Sequence, residues 1–266
     1  PSPGQTGAVT NNSGSLQTFN MRINHRWGSI NAVNGDFRFN GEIDIGSGNA
    51  GTNRSVTFDV SANRSIFMSD LDGDGLAGFV GSGTDASSGG VVTKEGAGTL
   101  FVSAGNDSWN GRVVIANGPM QISHTNALGA GGSGGRTTIN GAASTGSLQL
   151  TGGISTNERI SIISRDTGNN VPHIENVSGS NTLSGLIETS GSGGNGVYAI
   201  STGAAAAGKL LTISGSIQQQ LNAAGGNRAL HLRGAGDGLI SSTGAIIDHA
   251  SNPDRYWSQV IKSDSG

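Results

Sequence analysis

Residues 91–129 read VVTKEGAGTLFVSAGNDSWNGRVVIANGPMQISHTNALG, and this stretch decides the fold. Its apolar residues alternate in short runs, Leu100 with Val102, Val113 with Ile115 and Met120 with Ile122. Alternation at period two is the mark of a strand with one buried face. Between the runs stand Gly105-Asn106, Asn110-Gly111 and Asn117-Gly118. Such pairs accept a positive φ at little cost, so the chain bends sharply and begins another strand within a few residues. One coil of a solenoid is built this way.

The same pattern spreads in both directions. Residues 1–15, rich in proline, glycine and asparagine, read as an irregular lead-in, and residues 16–266 as a single β-solenoid domain. Two short strands are expected within residues 16–33, where Phe19, Met21 and Ile23 alternate before Arg26-Trp27-Gly28 interrupts. Residues 37–39, 42–45 and 55–61 alternate cleanly, the last with Val56, Phe58 and Val60 on one face. Beyond the central stretch, strands are expected at 138–139, 147–151, 159–164, 174–177, 183–189, 197–201, 209–217, 229–233 and 239–247. No run of ten residues carries a helical stripe. Coils of about 20 residues would number roughly a dozen, stacked ~4.8 Å apart over some 60 Å. A β-sandwich is the rival architecture for regular short strands.

The central stretch resembles the autotransporter passenger-associated β-strand repeat of bacterial surface proteins. Lys94, Gly96-Ala97-Gly98-Thr99-Leu100, Gly105-Asn106, Trp109, Gly111, Gly118, Met120 and Asn126-Ala127-Leu128-Gly129 carry the resemblance. It departs at Glu95, at Pro119-Met120 where Thr-Leu is usual, and at Trp109 where tyrosine is commoner. Weaker echoes are Asn181-Thr182-Leu183-Ser184-Gly185 and Leu211-Thr212-Ile213-Ser214-Gly215. The resemblance implies an all-β, right-handed parallel β-helix (β-solenoid) with very little helix, lying outside the cell or on a bacterial outer surface. It also favours a solenoid over a sandwich, and export with signal removal as the reason the chain opens at Pro1 without methionine.

Composition narrows the function. The 266 residues include 47 glycines, well above the roughly 7% of an average chain, yet valine, isoleucine and leucine recur at period two, unlike a disordered sequence. With 33% hydrophobic residues, a narrow tube is a better fit than a thick globule. A net charge of −3 without a basic run offers nucleic acid no electrostatic footprint. No window approaches the ~18 apolar residues of a membrane span. The absence of cysteine removes disulfides, thiol catalysis and thiolate metal sites.

Several motifs imitate chemistry. Residues 46–51, GSGNAG, have dinucleotide-fingerprint spacing, but a strand follows where the pyrophosphate needs a helix N-terminus. Residues 203–209 resemble a phosphate loop with Leu210 in place of the magnesium-binding hydroxyl, and GGSGG at 131–135 lacks the context of a nucleophile elbow. Asp70, Asp72 and Asp74 reproduce the first half of a calcium loop, although Gly81 stands where the bidentate glutamate belongs. They are the metal-site candidates, with an acidic surface turn as the alternative. The five histidines show no metal spacing. Asp36, Glu42, Asp44 and Asp59 lie near strands, where carboxylates on adjacent coils could cleave a polysaccharide. Asn-x-Ser sequons occur at Asn11, Asn53, Asn63, Asn106 and Asn176.

The expectation is a non-enzymatic structural or adhesive rod needing no cofactor, with a polysaccharide-binding or polysaccharide-cleaving β-helix as the alternative. Its partners would be a host or matrix polysaccharide or a surface protein. A solenoid also ends in open strand edges. Tyr256, Trp257, Val260 and Ile261 offer aromatic and β-branched surface there, pointing to head-to-tail self-assembly.

Overall fold

A computed structural model describes residues 7–25, 27–45, 54–69, 78–80, 90–107, 109–129, 135–166, 168–191, 196–203, 209–219, 228–247 and 259–263. Among them regular structure consists of short strands, with no helix. The strands pair parallel, each with its equivalent one coil before and one coil after, so the chain is a parallel β-solenoid.

One wall is a ten-stranded sheet from Gly7–Asn11, through Val91–Glu95 and Arg112–Ile115, to Ile246–Ile247. A second ten-stranded sheet runs from Gln17–Phe19, through Thr99–Val102 and Pro119–Ile122, to Gln259–Lys262. The third wall is a sheet only toward the ends. It has three strands early (Ile23–Asn24, Glu42–Asp44, Gly78–Val80) and four late (Ser155–Thr156, Asn181–Leu183, Leu210–Ile213, Asp237–Ile240). In the coils between, buried Asn106, Trp109, Ala127 and Leu128 fill that side.

The core consists of in-register rows. On the second wall, Phe37, Ile66, Leu100, Met120, Leu148, Ile174, Ile200 and Leu232 succeed one another along the axis. On the first, Ile30, Phe58, Lys94, Ile115, Ile139 and Ile162 do the same. Leu100, Val102, Val113, Ile115, Met120, Ile122, Leu148 and Leu150 are all buried, as the alternation requires. Each full burial contributes roughly 1.5–3 kcal/mol, and like side chains stacked coil on coil leave no gap for water.

The coils are fewer and longer than expected. Along the first wall the ten described rungs advance by between 21 residues (Val91 to Arg112) and 36 residues (Ser55 to Val91), because the corners carry insertions of unequal length. At ~4.8 Å per rung, ten rungs span about 43 Å. The lead-in is also not wholly irregular: Gly7–Asn11 is the first rung, pairing with Trp27–Ala32. Buried Asn11 closes its corner by donating to Ser15 O and Asp36 O, both at 2.8 Å. Met21 is 67% exposed, since the alternation of Phe19, Met21 and Ile23 straddles a corner.

Three expected single strands, 183–189, 209–217 and 239–247, are each two strands about a glycine corner. A Cβ at Gly185 would sit 2.0 Å from Glu158 O, and one at Gly215 would sit 1.9 Å from Gly185 O. Only glycine fits where corners stack this closely. Ser65–Met68, Gly78–Val80 and Ser155–Thr156 are strands the alternation did not reveal.

Candidate functional site: corner polar groups and outward rows

Polar side chains fall into two sets, those turned into the tube at its corners and those standing outward in rows. Lys94 belongs to the first. It shares the parity of Val92 in Val91–Glu95, so it points inward and is fully buried. Its ammonium donates to Glu95 O (2.7 Å), Gly96 O (2.8 Å) and Asn117 O (2.9 Å), tying two successive corners together. Burial lowers its pKa to about 8, while the carboxylates of Asp59 and Glu95 act in the opposite sense.

Asn106 and Trp109 form the corresponding corner on the third side. The Asn106 amide accepts from Phe79 N and donates to Ala127 O, linking the coils on either side of its own. Trp109 packs edge-on to Phe79 at 6.3 Å, and a Cβ at Gly111 would meet its ring at 2.3 Å. The lysine, asparagine, tryptophan and glycines of the central repeat are therefore corner-building residues.

A third polar corner lies later in the tube. His173 is buried, with Nδ1 accepting from Ala199 N (3.1 Å) and Nε2 2.9 Å from Ile163 O. That pattern fixes the neutral tautomer with the proton on Nε2. Burial and, secondarily, the Arg165 charge push its pKa down to about 3. The Arg165 guanidinium donates to Val171 O and Gly146 O, and Arg228 reaches the Tyr198 hydroxyl (2.8 Å) and Gly191 O (3.0 Å). Glu158, buried and accepting from Thr137 Oγ1 at 3.0 Å, has its pKa raised to about 7 by burial.

The outward set is arranged by register. On the second wall Arg38, Phe67, Phe101, Gln121, Gln149 and Glu175 follow one another rung by rung, each half-buried. The Phe67 and Phe101 rings stack at 4.9 Å and 8°, the Arg38 guanidinium covers Phe67 at 5.2 Å, and Gln149 donates to Glu175 at 2.9 Å. On the first wall Asn31, Asp59 and Glu95 are in register, and Asn117 donates to Glu95 at 2.9 Å.

Other sequence candidates scatter. Asp70, Asp72, Asp74, Tyr256 and Trp257 lie outside the described residues, as do residues 46–51, 131–134, 204–208 and His249. Val260 and Ile261 lie on the last rung, Gln259–Lys262, with Val260 49% exposed and Ile261 half-buried. Lys209 donates to Val177 O at 3.0 Å, a structural use. Glu42 and Asp44 both pair with Arg22, at 3.3 and 2.8 Å, and Asp36 accepts from Ser65 N at 2.9 Å. Among the described residues no three histidine, aspartate or glutamate side chains form a metal-ligating group. The sequon asparagines Asn11, Asn106 and Asn176 are buried, while Asn63 is exposed. Sequence reasoning missed the buried roles of Lys94, His173 and Glu158. For Lys94 the signal was there, in its parity with Val92. No family model, no curated protein and no solved structure matches the chain.

Proposed function

We propose that the chain is a non-enzymatic structural or adhesive rod, at work outside a bacterial cell or on its surface, as its resemblance to autotransporter passenger repeats suggests. The observation that carries the reading is the outward row from Arg38 to Glu175, six half-buried side chains in unbroken register. Guanidinium, aromatic edge, amide and carboxylate in line suit a long partner lying along the axis, a matrix polysaccharide or an extended surface protein. The buried polar groups support the same reading, since Lys94, Asn106 and Arg165 are committed to backbone carbonyls that hold corners together. The test is binding of the chain to immobilised polysaccharides and matrix proteins. Phe67→Ser with Phe101→Ser and Gln149→Ala is expected to weaken binding at least tenfold while leaving the thermal midpoint within a few degrees. Unchanged binding by that variant overturns the adhesive reading.

One observation favours a second reading, a polysaccharide-cleaving enzyme. Asp59 and Glu95 stand on adjacent coils in register, the arrangement paired carboxylates need. Release of reducing ends from a polysaccharide by the native chain, lost in Asp59→Asn and in Glu95→Gln, would establish it over the rod.

A further inference from the structure

The inward rows of the late third wall lose a side chain. Asn181 is followed by Leu211 and then by Gly238, so the last rung offers no group where its predecessor has an isobutyl. A cavity of about 250 Å³ opens there, with Ile200, Leu211, Ile213, Leu232 and Ile240 as its apolar lining. The neighbouring row, apolar at every rung from Phe37 through Ile174, Ile200 and Leu232, reaches Lys262 on the last described rung, which places a cation beside the cavity. Arg233 and Asp237 also border the cavity, leaving one net positive charge among its three ionisable neighbours. The Thr202 hydroxyl on its wall already donates to Gly236 O at 2.6 Å.

We propose that this cavity binds an amphipathic monocarboxylate, its hydrocarbon against the isoleucines and leucines and its carboxylate toward Lys262. Size sets the class. A dry cavity of ~150 Å³ holds benzene, so 250 Å³ takes about ten non-hydrogen atoms, the size of a medium-chain fatty acid. Apolar area removed from water drives entry, and the cation selects the head group. The site is independent of the outward row and of what the rod adheres to.

Calorimetric titration of the whole 266-residue chain with octanoate at pH 7 tests it, with octan-1-ol as the neutral match. Saturable binding of one octanoate per chain is expected, at least tenfold tighter than octanol, with the unfolding midpoint raised by about 3–6 °C at a tenfold excess over Kd. Gly238→Leu restores the missing side chain. A Cβ at Gly238 meets nothing closer than Thr202 Cγ2 at 3.8 Å, so the substitution is expected to abolish binding and to keep or raise the midpoint. Lys262→Gln, at an exposed side chain, should bring octanoate down to the affinity of octanol. Absence of octanoate binding, equal affinity for octanol, or undiminished binding by Gly238→Leu overturns the proposal. Should Gly238→Leu fail to fold, Gly238→Ala with an unaltered octanoate affinity overturns it equally.

Discussion

His173 and Glu158 pull the stability of the tube in opposite directions with pH. The imidazole is held at about 3 in the fold against about 6.5 in an unfolded chain, so between those values the unfolded chain binds the extra proton. Stability therefore falls as the solution is acidified from about 6.5 toward 3. The Glu158 carboxyl, held at about 7 against 4.5, keeps its proton in the fold after the unfolded chain has ionised, so its contribution falls as pH rises from 4.5 to 7. Each slope is about 1.4 kcal/mol per pH unit, and they cancel where they overlap. Together they leave a near-plateau in the thermal midpoint between pH 4.5 and 6.5, tilted upward with pH by His25 and His231, whose pKa values burial also lowers. Glu158→Gln should convert the plateau into a rise with pH, and His173→Gln into a fall. Native-like profiles in both variants would show that neither group titrates as its burial implies. Neither residue was legible as a buried group, because each lies just outside an alternating run, where parity does not say which way a side chain turns.

At the scale of strands and corners, glycine and the in-register rows limit each other. Gly96 has φ +74°, and a Cβ there would lie 2.3 Å from Val60 O. Gly96→Ala is expected to cost about 2–4 kcal/mol through both the backbone conformation and the clash, measured by chemical denaturation. Leu148, wholly buried between Met120 and Ile174, admits no charge. Leu148→Asp should open the coils on both sides, read as lost amide exchange protection in Pro119–Ile122 and Ile174–Asn176, and native protection there would contradict the row. The inward residues of these strands were readable from alternation alone, as Leu100, Val102, Leu148 and Leu150 show. The corners inside 183–189, 209–217 and 239–247 were not. Leu183 and Ile187 read as one continuous run because a corner through Ser184-Gly185 leaves the apolar rhythm intact. Register was hidden for the same reason. Phe67 meets Phe101 across 34 positions but Gln121 meets Gln149 across 28, and only the lengths of the intervening corners set those separations.

Over the whole molecule, all six large hydrophobic side chains exposed among the described residues lie near the ends, Leu16, Met21 and Val33 in the first two coils and Leu239, Ile247 and Val260 in the last. If the rod associates head to tail, Met21→Glu or Val260→Glu should abolish any concentration-dependent rise in sedimentation coefficient. A native chain that sediments as a monomer at high micromolar concentration would end that idea. The unequal coils carry a mechanical consequence. Tension applied along the axis loads the hydrogen bonds between rungs in series, so the rod should yield by peeling one coil at a time from an end. Each release frees the contour length of that coil, from about 70 Å for the 21 residues between Val91 and Arg112 to about 120 Å for the 36 between Ser55 and Val91. A force-extension trace should therefore show a staircase of uneven steps, whose sequence of lengths reads out the order in which the coils let go.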